Sequence, residues 1–252
     1  MDAAVLVALG FVSAFASGLL GVGGAIVLIP LLRFVPPALG LPAFTMAEIA
    51  GISIVQVTVA TLLGLRVHHR KGAIAWALAL PMAIAAGIGA ALGGGLSARV
   101  SESLAEVLFA ALAVIAAAML IVPAGEEDDP LRTPNQTASM VVAGGVGLIS
   151  GVLGAGGAFL LAPLMRTVLG FPIRKVIGIS LVVVLSGALM GTFGKAVTGQ
   201  VLWLPAFLTV LGALPGAPLG ASLSHRLDAR VLRWLLALLI AAAALRMLLA
   251  AL

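Results

Sequence analysis

The stretch Ser17-Gly-Leu-Leu-Gly-Val-Gly-Gly-Ala-Ile-Val-Leu-Ile-Pro-Leu-Leu32 recurs as Ser150-Gly-Val-Leu-Gly-Ala-Gly-Gly-Ala-Phe-Leu-Leu-Ala-Pro-Leu-Met165, identical at ten of sixteen positions. Chance does not supply a match of that length, so the chain is an internal duplication. The register resumes downstream: Gly51-Ile52-Ser53 matches Gly178-Ile179-Ser180, Gly72 and Trp76 match Gly199 and Trp203, and Gly89 and Gly93 match Gly216 and Gly220. Two homologous halves follow, residues 1–123 and 137–252. They are joined by a polar linker, 124–136, in which Glu126-Glu127-Asp128-Asp129 holds four of the nine acidic residues.

Composition decides where such a duplication lives. Of 252 residues, 62% are apolar and 9% charged, with no cysteine or tyrosine, and the mean hydropathy is +1.26. Soluble domains carry about 25% charged residues, so this chain cannot cover a water-soluble particle. Apolar stretches fall near 3–32, 44–65, 73–98, 104–122, 137–165, 176–194, 200–223 and 231–251. Most are of the order of the ~20 residues a membrane helix needs, and none alternates as a β-barrel strand does. The expected class is an all-α integral membrane protein, multi-pass, in the plasma membrane. Met1-Asp2 carries no basic residue, and the segment after it is part of the repeat, so it reads as structure rather than a cleavable leader.

The net charge of +5 comes from basic residues set singly or in small groups between apolar runs, which is topology rather than nucleic-acid binding. Without cysteine there is no disulfide or thiolate chemistry, and three histidines offer no spaced ligand set. No metal and no cofactor are expected. Three Lys against eleven Arg in an Ala- and Gly-rich chain point to a bacterial source.

The repeated glycines have a physical consequence. Residues 3–32 carry no charge, and a straight helix of that length would reach about 45 Å, longer than the bilayer core. A break is expected at Gly21-Val22-Gly23-Gly24, and by the repeat at Gly154-Ala155-Gly156-Gly157, because glycine adopts the left-handed dihedrals that end helices. Irregular backbone at membrane depth is tolerated only where protein buries it or where it lines a cavity. The N-terminus of the returning helix then offers free N–H groups to an anion, which glycine lets approach closely. Gly21, Gly23, Gly24, Gly154, Gly156 and Gly157 are therefore candidate substrate-binding positions. Broken helices at matching places of two halves are the pattern of a transporter binding site, although close helix packing also uses glycine.

Basic residues choose between two paths. Eight full crossings place eight basic residues inside and six outside, whereas a re-entrant, Gly-broken hairpin plus three transmembrane helices per half places ten inside and four outside. Arg33, Arg99, Lys195 and Arg246 are the outside set, and the second path fits the positive-inside bias better. Three crossings per half also make the halves inverted repeats, whose hairpins enter from opposite faces.

Few polar groups lie within the apolar runs. Ser53, Gln56, Ala60 and Gly64 share one helical face, and Ser180, Gly187, Gly191 and Gly194 form a comparable stripe with Lys195 beside it. Ser53, Gln56 and Ser180 fit either an oxyanion or a neighbouring helix as partner. Thr58, Thr61, Ser186 and Thr192 fit helix-to-helix bonding. Lys195 reads as a snorkelling residue or a substrate contact, and His68 and His69 as snorkelling residues or a proton relay. Trp76 and Trp203 read as interfacial anchors. No nucleophile and base pair lies within the membrane, so no enzyme is expected.

With its doubled Ser17-Gly18-Leu19-Leu20-Gly21-Val22-Gly23-Gly24…Pro30 and Ser150-Gly151-Val152-Leu153-Gly154-Ala155-Gly156-Gly157…Pro163, the sequence resembles the TauE/SafE family of membrane permeases. The Gly72…Trp76 and Gly199…Trp203 spacings extend the likeness over nearly the whole chain, while Ala75 and Leu202 stand where the family often has a polar residue. The resemblance implies secondary transport of sulfite or an organosulfonate, in the export direction, with proton coupling. The expected partners are a small anion and the lipid bilayer, without nucleic acid, and a homodimer stays open. A channel for a small anion and a membrane subunit of a larger complex are the competing readings.

Overall fold

The computed structural model describes residues 2–20, 24–69, 75–121 and 135–224, with Leu238, Ala242, Leu245 and Arg246 beyond them. The described residues form helices and no strand: α1 Ala3–Leu20, α2 Ala25–Ala38, α3 Met46–His69, α4 Trp76–Leu96, α5 Glu102–Ile121, α6 Gln136–Leu153, α7 Ala158–Thr167, α8 Ile173–Val197 and α9 Trp203–Ser224. Five of them are long and apolar enough to cross a membrane: α3, α4, α6, α8 and α9. The duplication is visible in the element order. The pair α1–α2 corresponds to α6–α7, α3 to α8 and α4 to α9.

Local chemistry sets several boundaries. Thr45 and Glu48 form a capping box at the start of α3, with Thr45 N donating to Glu48 Oε2 at 2.8 Å and Glu48 N donating to Thr45 Oγ1 at 3.3 Å. Asn135 caps α6 by accepting from Ala138 N at 3.2 Å. Trp76 and Trp203 open α4 and α9 with exposed rings, where an interfacial residue belongs.

The break between α6 and α7 occurs as expected, while the first falls on residues 21–23, outside the described residues; in both halves the arms differ in length from half-helices. α1 and α6 have 18 residues each, whereas α2 has 14 and α7 has 10. At 1.5 Å per residue the first arm is about 27 Å long, close to a full bilayer core. Gly154 sits at the far end of an almost complete helix, α6, rather than at its middle. The returning arm starts beside the last turns of the first arm, not beyond them. A Cβ placed on Gly24 would lie 3.9 Å from the Ser13 carbonyl oxygen and from Ser17 Cβ, and one on Gly157 would lie 2.9 Å from Val146 Cγ1.

The halves are interleaved. α1 packs along α9 and α6 packs along α4, so each half's first helix lies on the other half's third full helix. Glycine makes the approach possible. Gly89 and Gly93 of α4 touch the backbone of Gly144 and Leu148 on α6, and Gly216 and Gly220 of α9 touch that of Phe11 and Phe15 on α1. α3 and α8 pack on one another between these pairs. Arg33 ties α2 to α5 through Glu102 at 2.9 Å and the buried Glu106 at 2.6 Å.

Candidate functional site

The two breaks converge on consecutive residues of α3. The Gln56 amide nitrogen lies 3.6 Å from the Cβ position of Gly24, at the start of α2. The next residue, Val57, packs against Gly156 in the other half's break, and Ala50 packs against Gly154. Two turns of α3, residues 50–57, therefore lie against Gly24 on one side and Gly154 and Gly156 on another, positions more than a hundred residues apart in sequence. Ser53 lies between Ala50 and Val57 along that helix and is buried.

The second break has the expected conformation. Gly154, Gly156 and Gly157 have φ of 70°, 66° and 72°, the left-handed region that only glycine enters without strain. Gly154 ends α6, its N–H donating to the Ser150 carbonyl at 2.8 Å, and Gly157 caps α7. Gly24 differs from its counterpart: it caps α2 with φ −62°, in the right-handed region, so left-handed backbone is not required there. Gly21 and Gly23 lie outside the described residues.

Polar atoms are sparse here and several lack partners. Among the described residues the buried Ser53 Oγ, Gln56 Oε1 and Ser150 Oγ carry no hydrogen bond. In a protein interior an unpaired polar atom costs about 1–3 kcal/mol. Ser150 belongs to the second break, its Oγ 3.6 Å from the Cβ position of Gly157. Gln56 is only half satisfied. Its Nε2 donates to Ser13 Oγ at 3.1 Å and to the Gly10 carbonyl at 3.4 Å.

Other sequence candidates are placed elsewhere. Ser180 is partly buried on α8 and bonded. Gly191 and Gly194, on the α8 stripe, pack against Ile54 and the Ala91 carbonyl and serve helix contact. Thr58 Oγ1 meets Thr192 Oγ1 at 3.2 Å and Ser186 donates to the Ala83 carbonyl at 2.7 Å, the helix-to-helix bonds expected of them. The side chains of His68 and His69, at the end of α3, lie outside the described residues.

Lys195 corrects a reading made from its position near a span end. It does not snorkel: it is fully buried, and Nζ donates to Ser97 Oγ at 2.8 Å, the Val152 carbonyl at 3.1 Å and Gln200 Oε1 at 3.2 Å. Three donors meet three protein acceptors, which leaves no N–H for a ligand. Val152 is in the last turn of α6, so the ammonium caps the negative end of that helix two residues before Gly154. Through Val152, Lys195 holds the end of α6 that leads into the break.

Two features escaped the sequence reading. Ser13 stands one helical turn before Ser17, and that spacing was the available signal. Of the partners of Lys195, Gln200 follows it by five residues, whereas Ser97 and the Val152 carbonyl come from other elements and carry no local mark.

Three cavities are described, one of about 240 Å3 beside α2, with Pro30, Phe34 and Arg246 in its wall. One of about 320 Å3 lies between α3 and α9, with Gln56, Ala60, Ala213 and Ala217 in its wall. Another of about 10 Å3 lies where α4, α6, α7 and α8 meet, with Ser150, Gly157, Val183 and Gly187 in its wall.

Helices without strands, five membrane-length spans and two glycine breaks brought to one helix define a multi-pass helical membrane protein built by duplication. The profile of the family described as "Sulfite exporter TauE/SafE" matches residues 6–247, and the chain belongs to that family of membrane transporters. A "Probable membrane transporter protein" of Xylella fastidiosa is 31% identical over 232 residues, covering 89% of this chain and 86% of that one. A protein of the same name from Haemophilus influenzae is 25% identical, covering 89% of each chain. The "Probable membrane transporter protein YunE" of Bacillus subtilis is 22% identical, covering 92% of each. No solved structure matches.

Proposed function

We propose that this protein is a secondary transporter that carries a small anion, sulfite or an organosulfonate, out across the bacterial plasma membrane, with proton coupling and by alternating access. The observation that carries this reading is the convergence of Gly24 and Gly156 on Gln56 and Val57 of α3. Backbone N–H groups at a glycine-broken helix suit an anion because they supply donors and partial positive charge without a counter-ion. Unpartnered hydroxyls on Ser53 and Ser150 add donors of the same kind. A site made of uncharged donors binds an oxyanion without trapping it, which a carrier requires. Taken as inverted repeats, the halves provide two equivalent arrangements that rock about the fixed α3–α8 contact. The family description contributes the sulfur oxyanion.

The test is transport in proteoliposomes. Labelled sulfite and ethanesulfonate are expected to move in a saturable way, driven by an imposed pH gradient. Flux that rises without limit and ignores pH identifies a channel instead, and no flux of either anion rejects the substrate class.

A further inference from the structure

Among the described residues Lys195 is the one cation that is fully buried, and no carboxylate pairs with it. Arg33, by contrast, is partly exposed and holds both Glu102 and Glu106. The other charged groups of the elements around Lys195 are engaged, exposed or distant. On α3, Glu48 lies one turn from Gly51, which touches Gln200, but its carboxylate accepts from Thr45 N and Oγ1. Arg66, His68 and His69 belong to the far end of that helix. Arg99, just beyond Ser97, is exposed, Arg174 and Lys175 open α8 at its other end, and α4 and α6 carry no charge. A neutral donor would serve the Val152 carbonyl without the cost of burying a bare ammonium.

The partners of Lys195 suit it with and without its proton. As an ammonium, Nζ has three donors for Ser97 Oγ, the Val152 carbonyl and Gln200 Oε1. As an amine it has two donors and a lone pair, which the Ser97 hydroxyl can fill by turning away from the Gly94 carbonyl, 2.6 Å from it. That carbonyl is also served by Gln200 Nε2 at 3.3 Å. What the loss of the proton removes is the charge at the negative end of α6, where the Val152 carbonyl can only accept, two residues before the left-handed Gly154. Proton occupancy is thereby linked to the second break. Gly94 and Gly194 bring α4 and α8 backbone to backbone beside Lys195, so the proton reaches water only when these helices part.

The duplication repeats the pair. By the register that matches Gly72 with Gly199 and Arg99 with Arg226, Lys195 corresponds to His68 and Ser97 to Ser224. The two bases differ in size and shape, and what they share is the capacity to hold or lose a proton. We infer that Lys195 binds and releases the proton whose movement is coupled to the anion. The proton sits on the Nζ lone pair in the arrangement that caps α6 and leaves it in the arrangement that does not. This rests on the proton-coupled carrier reading above and names the group that does the coupling.

Two measurements on the full chain test it. Lys71→Arg and Lys175→Arg together leave Lys195 as the single lysine, so lysine labelled with carbon-13 gives one Cε signal that reports the charge on Nζ. At one buffered pH, added sulfite is expected to change the charged fraction, because linkage between two ligands is reciprocal. A signal that stays charged at every pH at which the protein is folded, with and without sulfite, overturns the inference without any Lys195 variant having to fold. In proteoliposomes holding a pH dye, labelled sulfite is expected to move with protons in wild-type protein. Lys195→Met is never charged and Lys195→Arg is never neutral, and both are expected to lose the proton movement from whatever sulfite flux remains. A wild-type ratio of protons to sulfite in either variant overturns the inference, and where a variant moves no sulfite the lysine signal decides. Wild-type sulfite flux without protons overturns the proton coupling as well. Proton-coupled flux with a lysine signal that never changes removes Lys195 alone and leaves the carrier reading standing.

Discussion

Gly24 and Gly157 occupy the same place in the repeat, yet a side chain at each meets a different fate. At Gly24 the backbone is right-handed and the nearest atom to a new methyl is Gln56 Nε2 at 3.6 Å, ordinary contact. At Gly157 the φ of 72° penalises any side chain, and the methyl would stand 2.9 Å from Val146 Cγ1. Gly24→Ala should therefore leave thermal unfolding in detergent nearly unchanged while lowering transport, because the methyl stands at the bend beside Gln56. Gly157→Ala should cost about 1–3 kcal/mol, from left-handed strain and overpacking together, and should lower the melting temperature whether or not substrate is present. Equal melting temperatures for the two variants would remove the distinction between the breaks. The glycine pattern was legible in the sequence at both positions. That folding demands glycine at Gly157, by dihedral angle and crowding, and not at Gly24 was not, because identical residues conceal which constraint acts.

At the scale of elements, the bundle is held by helices that approach until backbones touch. Gly93 and Gly95 lie two residues apart on α4 and face opposite ways: a methyl on Gly93 would meet the Leu148 carbonyl of α6, and one on Gly95 meets nothing within 4 Å. Gly93→Ala should destabilise by about 1–3 kcal/mol as α4 and α6 are pushed apart. Gly95→Ala should stabilise by up to about 1 kcal/mol, since alanine is the better helix former and nothing opposes it. Thermal or denaturant unfolding of the pair decides the matter, and a loss of stability at Gly95 would contradict the packing described. The repeat spacing Gly89-x3-Gly93 announced a contact face. It did not announce that the partner would be α6 of the other half, since the contact joins segments the sequence separates by a linker. The ion pairs of Arg33 with Glu102 and Glu106 were hidden for the same reason, although two carboxylates at helical spacing were a sign that a cation should cover them.

At the scale of the molecule, the open matter is how the halves stand to the membrane. Leu39 and Val168 follow α2 and α7 directly, and both are exposed. As inverted repeats the halves place them on opposite faces, Leu39 outside with Arg33 and Val168 inside with Arg166, in line with the ten-to-four distribution of basic residues. The chain has no cysteine of its own, so Leu39→Cys and Val168→Cys each give one reactive thiol. An impermeant maleimide applied to whole cells should label the first and spare the second. Labelling of both from the outside would refute the inverted arrangement and, with it, the rocking motion proposed for transport.

The sequence by itself determined the class of protein, because hydropathy and residue count leave a helical bundle in a bilayer as the only solution. It also determined the duplication and the places where the first helix of each half must break, since these follow from identity between segments and from what glycine permits. Only the tertiary structure decided what the breaks surround. Burial turned Lys195 from a snorkelling residue into a cap on α6, and packing across the halves set Gln56 and Val57 against different breaks. The reason is physical: propensity and periodicity act within a segment, whereas the partner that satisfies or fails to satisfy a buried polar atom arrives from a distant one.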